Sequence, residues 1–233
     1  MRPLNLRCGG LVCASAVVGV VALVVAGFSP APAQAARVSG PPAVQLTAQA
    51  LRLGARGSAV RVLQTTLARL TYLPSGKVDG LFGARTWHAV VAFQGWSGLP
   101  RDGVVGSRTS AALARAARPL PWSRRDGLEI HISQQVLLLI AHGRVERAIH
   151  VSTGAGGATP IGHFAILRRE PMSWSVPFRV WLPLAQYFFS GYALHEYPVV
   201  PTYPASHGCV RVSAAEAPTV WQFGHIGMRL WTG

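Results

Sequence analysis

Residues 127–151 read Gly127-Leu128-Glu129-Ile130-His131-Ile132-Ser133-Gln134-Gln135-Val136-Leu137-Leu138-Leu139-Ile140-Ala141-His142-Gly143-Arg144-Val145-Glu146-Arg147-Ala148-Ile149-His150-Val151. Leu128, Ile130 and Ile132 alternate with Glu129, His131 and Ser133, the period of a strand with one face in a core. Val136–Ile140 is unbroken apolar sequence, and Val145, Ile149 and Val151 resume the alternation. His142-Gly143 between the last two runs marks a hairpin. Downstream, 152–162 holds four Gly and one Pro and reads as a loop, and 163–167 as a further strand. A late helix is predicted over 214–223. Short strands, turns and one helix make 128–233 a mainly β domain of sandwich or barrel type.

Upstream the period changes. Val60, Leu63, Leu67 and Leu70 recur at three- and four-residue intervals after Gly57-Ser58 and before Pro74-Ser75-Gly76, the pattern of an amphipathic helix with start and stop signals. Trp87, Val90, Val91 and Phe93 give a second stripe, and 107–117 a shorter third helix. Residues 51–117 are therefore a small all-α three-helix unit, and the chain is multi-domain. Residues 118–127, with Pro119, Pro121, Arg124 and Arg125, read as a linker.

Within the helical unit, Asp79-Gly80-Leu81-Phe82-Gly83-Ala84-Arg85-Thr86 is echoed by Asp102-Gly103-Val104-Val105-Gly106-Ser107-Arg108-Thr109. In each, an Asp-Gly turn and a second Gly lead into a helix, which is turn and cap chemistry. The run Leu53-Gly54, Gly57, Val60, Leu63-Gln64 and Leu67, followed by Asp79-Gly80, Phe82-Gly83, Thr86, Ala89-Val90 and Phe93-Gln94, resembles the peptidoglycan-binding type 1 repeat. The resemblance implies a module that docks on cell-wall glycopeptide.

The N-terminus has the order of an export signal. Arg2 and Arg7 precede an apolar run from Leu11 to Phe28, and Ala33-Gln34-Ala35 follows as a small-x-small cleavage site. Residues 1–35 are thus predicted to be removed, leaving 36–50 as a flexible lead-in and no stable membrane span. The alternative is an uncleaved anchor. The predicted location is the cell envelope, periplasm or wall.

Composition narrows the classes further. Of 233 residues only 13% are charged, which excludes a coiled coil and a charge-driven disordered chain. The net charge of +14 is carried almost wholly by arginine, since Lys77 is the only lysine, and suits an anionic setting. Nucleic acid is the weakest such partner, because no continuous basic face is evident and the chain is read as exported. Cys8 and Cys13 fall in the signal, so Cys209 is the one thiol of the mature chain and has no internal disulfide partner.

Cys209 stands in Ser206-His207-Gly208-Cys209-Val210-Arg211, with His195 fourteen positions before it. An imidazole can activate a thiol by accepting its proton. Gly208 lets backbone N–H groups approach a developing oxyanion, and Arg211 can hold a carboxylate. The segment resembles the catalytic domain of the L,D-transpeptidase (YkuD) family, marked by an upstream His and then a Ser/Thr-His-Gly-Cys box followed by Asn or Arg. Ser152-Thr153-Gly154, Thr159-Pro160-Ile161-Gly162, Tyr192-Ala193-Leu194-His195 and Gly227-Met228-Arg229-Leu230 extend it over 128–233.

The family resemblance implies cysteine acyl transfer on peptidoglycan stem peptides through a Cys209 thioester, ending in a 3→3 cross-link, with no cofactor and no metal. His195 is implied as the base, oriented by a backbone carbonyl near Glu196, and His207 as support for the thiolate. N–H groups of His207, Gly208 and Cys209 are implied as oxyanion donors, with Ser206 and Arg211 contacting substrate. Two departures touch acceptor choice: Glu196 stands where the family commonly has Gly, and the stretch from His195 to Ser206 is short and rich in Pro and Tyr. L,D-carboxypeptidase or exchange activity and a non-catalytic wall-binding protein are the alternatives, and a zinc site on His195, His207 and Cys209 is a weaker one. His88, His131, His142, His150, His163 and His225 are read as structural. Trp174, Phe178, Trp181, Tyr187, Phe188, Phe189 and Tyr192 either wall a groove or fill a core.

Overall fold

A computed structural model describes residues 50–233; the predicted signal and most of the lead-in lie outside them. Among the described residues three helices come first, α1 (Ser58–Arg69), α2 (Ala84–Trp96) and α3 (Ser107–Arg115). Nine strands follow: β1 (Gly127–His131), β2 (Val136–Ala141), β3 (Arg144–Ser152), β4 (Gly162–Ala165), β5 (Arg168–Ser175), β6 (Val180–Phe189), β7 (Tyr192–Glu196), β8 (Val210–Val212) and β9 (Arg229–Thr232). A fourth helix, α4 (Ala217–Phe223), lies between β8 and β9. The strands form one half-barrel sheet in the order β4-β9-β1-β2-β3-β8-β7-β6-β5. β1–β9 and β7–β8 are parallel pairs; the other neighbours are antiparallel.

Each helix of the first unit follows a glycine, Gly57, Gly83 or Gly106, and none has a side-chain cap. Asp79 and Asp102 close the turns ahead of α2 and α3, in two copies of one device. Gln64 donates to Asp79 Oδ1 (2.8 Å), the Leu81 carbonyl (3.0 Å) and Thr86 Oγ1 (3.0 Å), and accepts from Gly80 N–H (2.8 Å). Gln94 repeats this with Asp102 (2.7 Å), Val104 (3.0 Å), Thr109 (3.2 Å) and Gly103 (2.9 Å). The sequence echo is thus a structural one, with a buried amide at its centre.

The unbroken run Val136–Ile140 has its cause in two cores. Leu137 and Leu139 join Leu128, Ile130, Ile149, Val151 and the α4 residues Ala217 and Val220 inside the half-barrel. Val136, Leu138 and Ile140 point the other way, into one cluster with Val60, Leu63, Leu67, Val90 and Phe93 of the helices. The alternation in β1 predicts a solvent face, but the linker and Trp96 of α2 cover it: Glu129 is fully buried beneath Trp122 and Ser123, and His131, nearly buried, packs against Trp96 and Trp122.

Residues 118–127 are tied down at that boundary. Both oxygens of the Glu129 carboxylate accept backbone hydrogen bonds, from Trp122 and Ser123 (2.9 Å each). The indole of Trp122 lies 3.9 Å from the His131 ring, centroid to centroid. The carbonyl of Gln134 approaches Gly95 of α2 so closely that a side-chain carbon there would sit 2.3 Å from it. The structure also adds what the sequence reading did not find, a long hairpin of β5 and β6 at the sheet edge, with Trp174 opposite Trp181.

Candidate active site

β7 and β8 bring the box and the upstream histidine together. They are parallel neighbours, so the chain must cross over between them, and residues 197–209 form that crossover. Leu194 lies opposite Val210 and His195 opposite Arg211. With side chains alternating along a strand, Cys209, Arg211 and His195 share one face. All three line a cleft of about 470 Å³, with His207, Ser206, Phe178 and Arg168 among the other walls.

The His195 imidazole is buried, and its Nδ1 lies 2.7 Å from the Glu196 carbonyl oxygen. A carbonyl can only accept, so Nδ1 carries the proton and the Nε2 lone pair is free. Burial pushes the His195 pKa down to about 4; the Glu196 carbonyl opposes this weakly and the Arg211 charge adds to it. The ring is therefore a neutral base at pH 7. Cys209 is half-buried and free, its Sγ 3.8 Å from the Gly191 carbonyl. Burial pushes its thiol up, against smaller opposing effects of a backbone contact with Ala193 and of Arg211. The resting pair is thus thiol plus neutral imidazole rather than a preformed ion pair.

The loop carrying Cys209 is held from below. Ala205 and Ser206 N–H groups donate to the Thr153 carbonyl, and Ala155 N–H donates to that of Ser206. Thr159 Oγ1 accepts from Gly154 N–H and donates to the Gly208 carbonyl (both 2.8 Å). Gly208 has φ +129°, and a Cβ there would lie 2.1 Å from the Tyr192 ring, so no other residue fits. Its N–H donates to Ser206 Oγ (3.0 Å), and the Ser206 hydroxyl donates to the Cys209 carbonyl (2.5 Å). The Ser206 hydroxyl thus hydrogen-bonds within the site loop and engages the Gly208 N–H, and the N–H groups of His207 and Cys209 stand as the candidate oxyanion donors.

His207 is exposed and its ring stacks on Phe178 at the tip of the β5–β6 hairpin, 4.3 Å between centroids and 14° between planes. Arg211 lies flat on Tyr197, Cζ 4.1 Å from the ring centroid. Strand alternation divides the aromatic stretch between its two readings. Trp174, Phe178 and Tyr187 line the cleft, Phe188 lies in the inner core, and Trp181 stacks edge-on against Trp174. Among the described residues no three His, Cys, Asp or Glu side chains gather as metal ligands. Sequence reasoning missed Arg168 of the cleft wall, because nothing local marks a lone arginine as facing a thiol three strands away.

Residues 56–113 match the peptidoglycan binding domain family and residues 125–230 the L,D-transpeptidase catalytic domain family (YkuD). The crystal structure of an L,D-transpeptidase from Xylanimonas cellulosilytica DSM 15894 is 38% identical with a TM-score of 0.74, covering 83% of this chain and all of that one. An L,D-transpeptidase from Stackebrandtia nassauensis is 25% identical with a TM-score of 0.51, over 80% of this chain and 96% of that one. A spore cortex-lytic enzyme of Bacillus cereus is 40% identical over 70 residues, 30% of this chain and 27% of the enzyme. The chain spans about a quarter of the length of the first curated relatives it matches. With the helical unit, the half-barrel, the Cys209 box and these likenesses together, the chain belongs to the L,D-transpeptidase (YkuD) family, its catalytic domain preceded by a module of the peptidoglycan-binding type.

Proposed function

We propose that this protein is an exported L,D-transpeptidase that forms 3→3 cross-links between peptidoglycan stem peptides. The observation that carries the reading is the placement of Cys209, His195 and Arg211 on one face of β7–β8, lining one cleft. His195 Nε2 takes the Cys209 proton as sulfur attacks the carbonyl at the L-centre of the third, diamino residue of a donor tetrapeptide. The N–H groups of His207 and Cys209 stabilise the oxyanion. As the C–N bond to the terminal D-Ala breaks, the imidazolium returns its proton to the departing amine and a thioester remains. An amine of a neighbouring stem then attacks, gives its proton to His195 and displaces the thiolate, which is reprotonated. Water in place of that amine gives L,D-carboxypeptidase trimming.

Thiol and imidazole are both neutral at rest, so the proton moves during attack, and the cost of the buried thiolate falls in the transition state. Arg211 offers a guanidinium to a substrate carboxylate, and the helical module holds the enzyme on the wall. Intact mass spectrometry after incubation with a carbapenem tests the nucleophile: a single covalent adduct on the wild type and none on Cys209→Ala are expected. An unmodified wild-type mass in folded protein would sink the catalytic reading and leave a wall-binding protein. Product analysis on tetrapeptide donors, with and without an acceptor amine, separates cross-linking from trimming.

A further inference from the structure

The far wall of the cleft holds a second guanidinium, unused in the reaction above. Arg168 lies directly opposite Tyr187 across β5–β6, with its Cζ 3.9 Å from the ring centroid, and lines the same cleft as Cys209. The platform is rigid, since Tyr187 is buried and its hydroxyl sits 2.8 Å from Ser173 Oγ. Glu170, two residues along the strand and so on the same face, pairs with Arg168. Arg211 is held in the same manner on Tyr197 across the cleft. An arginine flattened on an aromatic ring keeps its N–H edges free to point outward, and Glu170 engages only part of a guanidinium that has five donors.

Registers fix where this second group lies. Arg168 is opposite Tyr187, Tyr187 opposite Ala193, and the Leu194–Val210 pairing puts Ala193 level with Cys209. Arg168 and Cys209 therefore end one cross-sheet row whose backbones are three strand spacings apart along the sheet, about 14 Å, and the guanidinium, seated over Tyr187, lies nearer to Cys209 than its own backbone does. An extended peptide crosses such a span in roughly three to four residues. The residues that line the cleft include no Asp or Glu; Glu170, which pairs with Arg168, lies outside that lining.

Resting on the donor-peptide reading above, we propose that Arg168 is a specificity residue that binds a second carboxylate of the donor, distant from the attacked carbonyl, and so selects stems whose carboxylates are free over amidated ones. Two synthetic tetrapeptide donors test this, identical except that the non-reacting carboxylates are free in one and carboxamides in the other. The wild type is expected to show a KM about tenfold lower for the free form, the worth of one partly exposed charge-assisted hydrogen bond. Arg168→Gln should raise the KM of the free donor about tenfold, with kcat within about twofold, and erase the preference. Arg168→Lys, which keeps the charge and loses the flat fork, should retain part of it. A preference that survives Arg168→Gln, or an equal loss on both donors, overturns the inference. If neither donor acylates wild-type Cys209, the enzymatic reading itself fails; if both acylate it equally well, only the role of Arg168 does.

Discussion

At the scale of single residues, the proton on His195 Nδ1 would govern the proposed chemistry. A base whose pKa is pushed down to about 4 stays unprotonated far below the ordinary histidine range. The acid limb of acylation, followed as kcat/KM against pH, should therefore fall near pH 4 and drop about tenfold per pH unit below it. The Arg211 charge contributes to that low value, so Arg211→Gln should move the limb upward; an unshifted limb near 6.5 in the wild type would contradict the buried neutral base. His195 and Cys209 were legible in the sequence, because a thiol and imidazoles beside a glycine form a local chemical pattern. The engagement of Ser206 and of the Gly208 N–H was not, since which group a hydroxyl meets depends on how the loop closes over Thr153 and Thr159.

At the scale of elements, the two buried glutamines carry the most checkable claim. Each amide lies within hydrogen-bond distance of four polar groups of an otherwise irregular loop. Removing one leaves buried partners without hydrogen bonds, a cost of about 3 kcal/mol. Gln64→Ala and Gln94→Ala should lose similar amounts in chemical denaturation. Gln94→Glu should be no better despite its matching shape, because it sets a carboxylate against Asp102 and the Val104 carbonyl. Losses under about 0.5 kcal/mol would show the loops closing without the amides. The sequence exposed the Asp-to-Thr part of this echo because both copies keep their spacing, whereas the glutamines stand 15 and 8 residues before their aspartates. The β5–β6 hairpin escaped notice for the opposite reason: its aromatic residues serve cleft, core and surface in turn, so no single period shows.

At the scale of the whole molecule, the helices and the sheet share a core. Val136, Leu138, Ile140, Val145 and Ala148 have their cover in the helical unit, so a fragment beginning at residue 118 would expose an apolar sheet face. Such a fragment is expected to aggregate or to lose its cooperative unfolding transition, read by size-exclusion chromatography and thermal melting. A monomeric fragment that melts like the full chain would show the shared core to be dispensable. Hydrophobic periodicity revealed both units, yet it could not reveal their union, because an unbroken apolar strand reads the same whatever lies on its second side.

The near-touching backbones at Gly95 and Gln134 give this union a mechanical meaning. Two bodies in contact at that range, with no side chain between them to yield, have little freedom to pivot. If the helices grip a glycan strand, the sulfur then operates at a set offset from the point of grip. The molecule would behave as a ruler laid along the wall, cutting and joining at one interval, where a tethered catalyst would sweep a volume.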